Sequence, residues 1–141
     1  MKREIINFFE MKVPSRSINE GFARMAVSAF AAQIDPTIEQ LAELKTVISE
    51  AITNAVVHGY RSEPGIIYVK VSLLKERTLK IVIKDKGAGI EDIRKAMEPL
   101  YTTGNSDRAG MGFTIMQTFT DKLKVVSKPG KGTTLTMEKT L

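Results

Sequence analysis

At 141 residues and 15.6 kDa, with 43% hydrophobic and 26% charged residues, the chain has the make-up of one ordinary folded domain and of neither a disordered nor a fibrous protein. The absence of cysteine excludes disulfides and thiolate metal sites. No apolar run approaches the roughly 18 residues a spanning helix needs, and Met1-Lys2-Arg3-Glu4 leads into no signal-peptide core, which predicts a cytoplasmic protein.

The net charge of +5 and pI near 9.5 raise the question of nucleic acid. Lys80, Lys84, Lys122, Lys124 and Lys128 are spread along predicted strands without aromatic residues between them, so the expectation is a solvated basic face and no direct DNA binding. The same field favours anionic partners such as nucleotide phosphates.

Residues 3 to 13 alternate and end at Pro14, which predicts an amino-terminal strand at a sheet edge. From Ser17 to Gln33, Ile18, Phe22, Met25 and Ala29 recur at helical spacing. They predict an amphipathic helix buried along that stripe, with Glu20 and Arg24 on an exposed face. Asp35 is expected to cap a second helix and Pro36 to open it. That helix carries the apolar stripe Leu41, Leu44, Ile48, Ala51, Ile52 and Ala55, leaves Glu50 and Asn54 off the stripe on one side, and ends at His58-Gly59 with the glycine as a left-handed cap.

Ile66 to Leu74 and Leu79 to Lys84 read as an antiparallel pair joined around Lys75-Glu76-Arg77. Ile67, Val69, Val71 and Leu73 would share one buried face with Leu79, Ile81 and Ile83. A short helix is expected over Ile90 to Met97, a mobile loop over Glu98 to Gly110, and a helix from Gly112 to Thr120 with Ile115, Met116 and Phe119 inward. Strands near Leu123 to Ser127 and Thr133 to Glu138 close the chain. The methionines, Met25, Met116 and Met137 among them, read as core filling. The predicted fold is an α/β (α+β) two-layer sandwich: one domain over 1–141, a mixed, mostly antiparallel sheet with helices on one face.

Three pieces carry chemistry. Glu50 and Asn54, four apart on one helix face, can set a base beside a metal-binding amide. Asp85-Lys86-Gly87-Ala88-Gly89 follows a strand, so that a carboxylate can accept from an exocyclic amine above a tight glycine turn. Gly110-Met111-Gly112 precedes a helix. Each is weak alone, but their order resembles the three ATP boxes of the Bergerat-fold (GHKL) ATPases, the superfamily of gyrase, histidine kinases and mismatch-repair proteins.

More narrowly, Ser49-Glu50-Ala51-Ile52-Thr53-Asn54-Ala55-Val56-Val57-His58-Gly59-Tyr60 and Arg108-Ala109-Gly110-Met111-Gly112-Phe113-Thr114-Ile115-Met116 resemble the anti-sigma factor serine kinases, those of sporulation above all. The resemblance implies a Mg²⁺- and ATP/ADP-binding homodimer that sequesters a sporulation sigma factor and phosphorylates a serine of an anti-anti-sigma protein. It gives Glu50 as general base, Asn54 as Mg²⁺ ligand and Asp85 as the reader of the adenine amino group. Gly87 and Gly89 would lie under the base, with Thr134 beside the aspartate. An ATP lid from about Pro99 to Gly110 would contribute Thr103, Gly104 and Arg108, and the turn Gly110, Met111 and Gly112 would meet phosphate oxygens at a helix start. The alternatives are a histidine-kinase-like ATP-binding module and a nucleotide-gated binding protein without transfer. Against the first stands the lack of a preceding helical hairpin with a histidine; His58 suits helix capping better than phospho-acceptance.

Overall fold

A computed structural model describes residues 4–97 and 107–141, the side chains of 107–111 excepted. The elements, in chain order, are β1 (Ile5–Pro14), α1 (Asn19–Ala31) followed by a 3₁₀ turn (Ala32–Ile34), α2 (Ile38–Thr53) with a π-helical extension (Asn54–Gly59), β2 (Ile66–Leu74), β3 (Thr78–Asp85), α3 (Ile93–Ala96), α4 (Asp107–Thr118), β4 (Lys122–Lys128) and β5 (Gly132–Thr140). The five strands form one antiparallel sheet in the order β1-β2-β3-β5-β4, with β1 on its edge as the alternation and Pro14 predict.

Strand alternation decides which side of the sheet the helices cover. Ile67, Val69, Val71 and Leu73 of β2, Leu79, Ile81 and Ile83 of β3, and Leu135 and Met137 of β5 are all buried. They face Leu44, Val47, Ile48, Ala51, Ile52 and Met116 of the helices in one continuous core. The two-layer sandwich is therefore as expected, helices on one face, except that every strand pair among the described residues is antiparallel where a mixed sheet was expected. No helix among the described residues is long and apolar enough to cross a membrane.

Helix α1 is the main departure. Ile18, Phe22 and Met25 are 75%, 57% and 61% exposed, Ala29 is exposed as well, and the buried stripe is Ala23, Val27, Ser28 and Ala31. The hydrophobic pattern favoured the larger side chains, whereas close packing of α1 on α2 selects the small ones. Glu20 and Arg24 keep their side chains 29% and 41% exposed, as expected of an outer face, but they also reach α2. Arg24 Nη1 donates to Ser49 Oγ at 3.2 Å, and Thr53 Oγ1 donates to Glu20 Oε2 at 3.1 Å. Met25 is not core filling; Met116 and Met137, fully buried, are.

Two helix starts also differ from expectation. Thr37, not Asp35, caps α2. Its hydroxyl accepts from Gln40 N at 3.1 Å while the Gln40 side chain accepts from Thr37 N at 2.8 Å, a capping box that outcompetes a lone aspartate. Asp35 instead takes a left-handed turn at φ 51°. Helix α4 begins at Asp107, so 107–110 of the expected loop are helical and the remainder, 98–106, lies outside the described residues. A glycine pair costs a helix only about 1 kcal/mol per residue, too little to stop one whose Phe113 and Met116 are buried. At the far end of α4, Lys139 of β5 reaches inward; its Nζ donates to Phe119 O at 2.7 Å and to Glu43 Oε1 at 3.0 Å, tying α4, β5 and α2 together.

Candidate nucleotide site

The site is assembled where α2 runs out of regular helix. Beyond Thr53 the helix widens, and Tyr60 N donates to Ala55 O, five residues back, at 2.8 Å. Such π turns bend a helix end and concentrate at functional sites. Glu50 lies on the last α-helical turn and Asn54, whose N–H still bonds to Glu50 O, opens the widened part, which sets Gly59 against the end of β3. Gly59 is not the left-handed cap; Arg61 and Ser62 adopt φ 51° and 64°. The glycine is needed for space, since a Cβ there would lie 2.8 Å from the Asp85 carboxylate.

Asp85 is buried at the end of β3, on the helix-covered face with Ile81 and Ile83. Gly87 N donates to its Oδ1 at 2.9 Å and Thr133 N to the same carboxylate. Burial pushes its pKa up, and these two backbone donors partly offset the rise. A carboxylate has about four acceptor positions, so two backbone donors leave capacity for an exocyclic amine. The acceptor expected to read adenine is buried and held by backbone donors.

The turn after Asp85 is strapped down on both sides. Ala88 N donates to Gly59 O and Gly130 N to Ala88 O, each at 2.6 Å. Gly87 sits so close that a Cβ would come within 2.0 Å of Gly59 O, and Gly89, at φ 74°, within 2.0 Å of Lys128 O. Ser127 Oγ accepts from Ile90 N at 2.8 Å and lies 2.8 Å from Thr133 Oγ1. Tyr60 fixes the same corner: its hydroxyl accepts from Lys86 N at 2.8 Å and donates to Ile66 O at 2.5 Å.

The threonine beside Asp85 is Thr133, not Thr134. The β3–β5 register pairs Asp85 with Thr133 and Lys84 with Thr134, which turns Thr134 to the opposite face of the sheet. Thr133 shares the alternation of the inward residues Leu135 and Met137, a period-two signal already present in the sequence. Gly59, Ser127 and Tyr60 left no comparable signal, because their roles depend on which turns meet.

Glu50 is 7% exposed, and a Cβ built on Gly112 would lie 3.4 Å from its Oε2, so the glutamate abuts α4. Asn54 is half-buried one turn further on. Gly110, Met111 and Gly112 do not form a turn before the helix, as expected, but lie within α4. The amides left without an intrahelical acceptor are those of its first four residues, Asp107 to Gly110, at the positive end of the helix dipole. Arg108 falls in that first turn; Thr103 and Gly104 fall outside the described residues. His58 is partly buried near the helix end, which lowers its pKa and favours the neutral ring. Among the described residues no group of three or more His, Cys, Asp or Glu could hold a metal, so a Mg²⁺ here would rest on Asn54, phosphate oxygens and water, which suits an ion that keeps several waters.

Residues 13–139 match the histidine kinase-like ATPase domain. The chain is 53% identical over 137 residues to the anti-sigma F factor of Thermoanaerobacter pseudethanolicus, covering 96% of this chain and 95% of that one. It is 46% identical over 134 residues to the anti-sigma F factor of Clostridium acetobutylicum, covering 94% and 93%. In structure it is similar to the RsbU and RsbW domains of a Mycobacterium tuberculosis protein, with a TM-score of 0.68 at 18% identity, covering 96% of this chain and 32% of that one. A blue-light activated histidine kinase of Erythrobacter litoralis shares the fold at a TM-score of 0.57 and 18% identity, covering 86% and 61% in its kinase domain. The chain thus belongs to the histidine kinase-like ATPase domain family and, within it, to the anti-sigma F factors.

Proposed function

We propose that the chain binds and inhibits a sigma factor of the sporulation type and uses ATP with Mg²⁺ to phosphorylate a serine of an anti-anti-sigma protein, working in the cytoplasm as a single-domain protein that pairs into a homodimer. Identity near 50% to anti-sigma F factors over nearly the whole chain supports the sigma partner. The observation that carries the phosphoryl-transfer reading is the buried Glu50, one turn before Asn54 and against α4 at Gly112. The edge position of β1 supports pairing with a second copy.

In this reading Asp85 accepts a hydrogen bond from the adenine amino group. Guanine presents a carbonyl at that position, so GTP would set acceptor against acceptor and bind more weakly. The free amides of the first turn of α4 face phosphate oxygens at the positive end of the helix. Bound Mg²⁺ supplies charge neutralisation for the phosphates, with the Asn54 amide as its protein ligand. Glu50 takes the proton of the acceptor serine hydroxyl as the oxygen bonds to the γ-phosphorus and the bond to ADP breaks.

The test is incubation with γ-labelled ATP, Mg²⁺ and a purified anti-anti-sigma protein, followed by phosphopeptide mapping. Label on one serine is expected. ATP binding without transfer to any serine of that partner would replace the kinase reading with a nucleotide-gated binding protein.

A further inference from the structure

The sheet has a second face, opposite the nucleotide site, and folding gathers there what the linear sequence separates. Across adjacent strands one row reads Lys12, Tyr68, Lys84, Thr134 and Val126, and the next reads Glu10, Lys70, Val82, Thr136 and Lys124. A third runs Phe8, Ser72, Lys80, Glu138 and Lys122. Two carboxylates, Glu10 and Glu138, share the face with these six lysines. Between β1, β2 and β3 lies a depression of about 620 Å³ lined by Glu10, Lys12, Tyr68, Lys70, Val82 and Lys84 among others.

The aromatics that the linear pattern lacked now sit among the cations. Phe8 is 55% exposed, with Lys70 Nζ 5.5 Å from its ring centroid, and Lys86 Nζ lies 5.1 Å from the Tyr68 centroid. Lysines that track a sugar-phosphate backbone, beside flat rings on which bases stack, are the two elements of sequence-tolerant single-strand binding. A second copy of the chain fits this face poorly, because lysine rows would meet lysine rows. A peptide cannot add to it as a strand, since backbone pairing lies in the sheet plane and only the β1 and β4 edges are open.

We propose that this open sheet face binds single-stranded nucleic acid, phosphates on its lysines and bases on Phe8 and Tyr68. The proposal is independent of the kinase reading, because Asp85, Thr133 and Glu50 all lie on the helix-covered side.

Anisotropy of a fluorescein-labelled 20-nucleotide oligo-dT tests it. If about four phosphates are neutralised, raising NaCl from about 50 to about 200 mM should weaken binding about 50-fold. The pair Lys70→Glu/Lys84→Glu should weaken it at least about ten-fold, and Tyr68→Ala about ten-fold by lost stacking, while ATP affinity and the circular dichroism spectrum stay as in wild type. Should the first pair misfold, Lys122→Glu/Lys124→Glu on the edge strand β4 serves the same purpose. The proposal fails if oligo-dT does not bind at about 50 mM NaCl, if the charge reversals leave binding unchanged, or if saturating ATP displaces the oligonucleotide. It also fails if poly-glutamate competes as well as oligo-dT, which would mark an acidic-protein surface, or if the reversals alter the oligomeric state, which would mark an interface between copies.

Discussion

Substitution of Gly87 by alanine probes the contact on which the proposed adenine corner depends. A Cβ at Gly87 would come within 2.0 Å of Gly59 O and 2.2 Å of Gly59 C, backbone atoms that cannot swing aside. Relief requires the turn to lift from the end of α2, which breaks the 2.6 Å bond from Ala88 N to Gly59 O and loosens the Gly87 N donor to Asp85. The lost bond is worth about 1 kcal/mol and the overpacking about 1–3 kcal/mol, a total of about 2–4 kcal/mol. Because Asp85 moves with the turn, affinity for ATP should fall about ten-fold or more. Gly130→Ala is the control: no atom lies within 4 Å of its Cβ, and at φ 75° it carries only the left-handed penalty of about 1–2 kcal/mol. Urea denaturation with a fluorescent ATP-analogue titration reads both effects. A Gly87→Ala protein within about 0.5 kcal/mol of wild type and with unchanged affinity would refute the close approach and the positioning role drawn from it.

The corrected face of α1 predicts that Met25→Ala changes stability by no more than about 0.5 kcal/mol, while Met116→Ala, fully buried, costs about 2–5 kcal/mol in the same denaturation assay. The two perturbed titrations act in opposite directions. His58 is lowered, so the unfolded chain takes its proton first and stability falls as pH drops below its ordinary 6.5, by at most about 1.4 kcal/mol per pH unit; His58→Gln should remove that slope. Asp85 is raised, so its stabilising contribution is full below its ordinary 3.8 and is lost as pH rises through the higher folded value, and ATP affinity should decline on acidification from a higher pH than for an unperturbed aspartate. In Asp85→Asn that acid limb of a binding titration should disappear.

Much of this structure was legible because period and order are local. Alternation placed the buried faces of β2 and β3, the helical stripe placed the core of α2, and the order of Glu50, Asn54 and the glycine turn pointed to the corner proposed as the nucleotide site. What failed depended on tertiary choice. Phe22 and Met25 satisfy helical spacing as well as Ala23 and Val27 do, and only the closeness of α2 decides between them. Thr134 lost to Thr133 by one residue of register, which flips a side chain across the sheet. The start of α4 was misplaced because glycine was read as punctuation, although the buried Phe113 and Met116 carry the helix. The π turn that brings Gly59 to Asp85 has no signature in spacing, and the basic face is legible in the lysines without the aromatics beside them, because Phe8 and Tyr68 join it from distant strands.

In the proposed phosphoryl transfer Glu50 is the base. The decisive measurement compares wild type with Glu50→Gln for two quantities: ATP dissociation constant, and the rate of γ-label transfer to the serine of the anti-anti-sigma protein. A fall in rate of at least about 10²-fold with an ATP dissociation constant within about three-fold of wild type is predicted; transfer at the wild-type rate in Glu50→Gln would contradict the assignment.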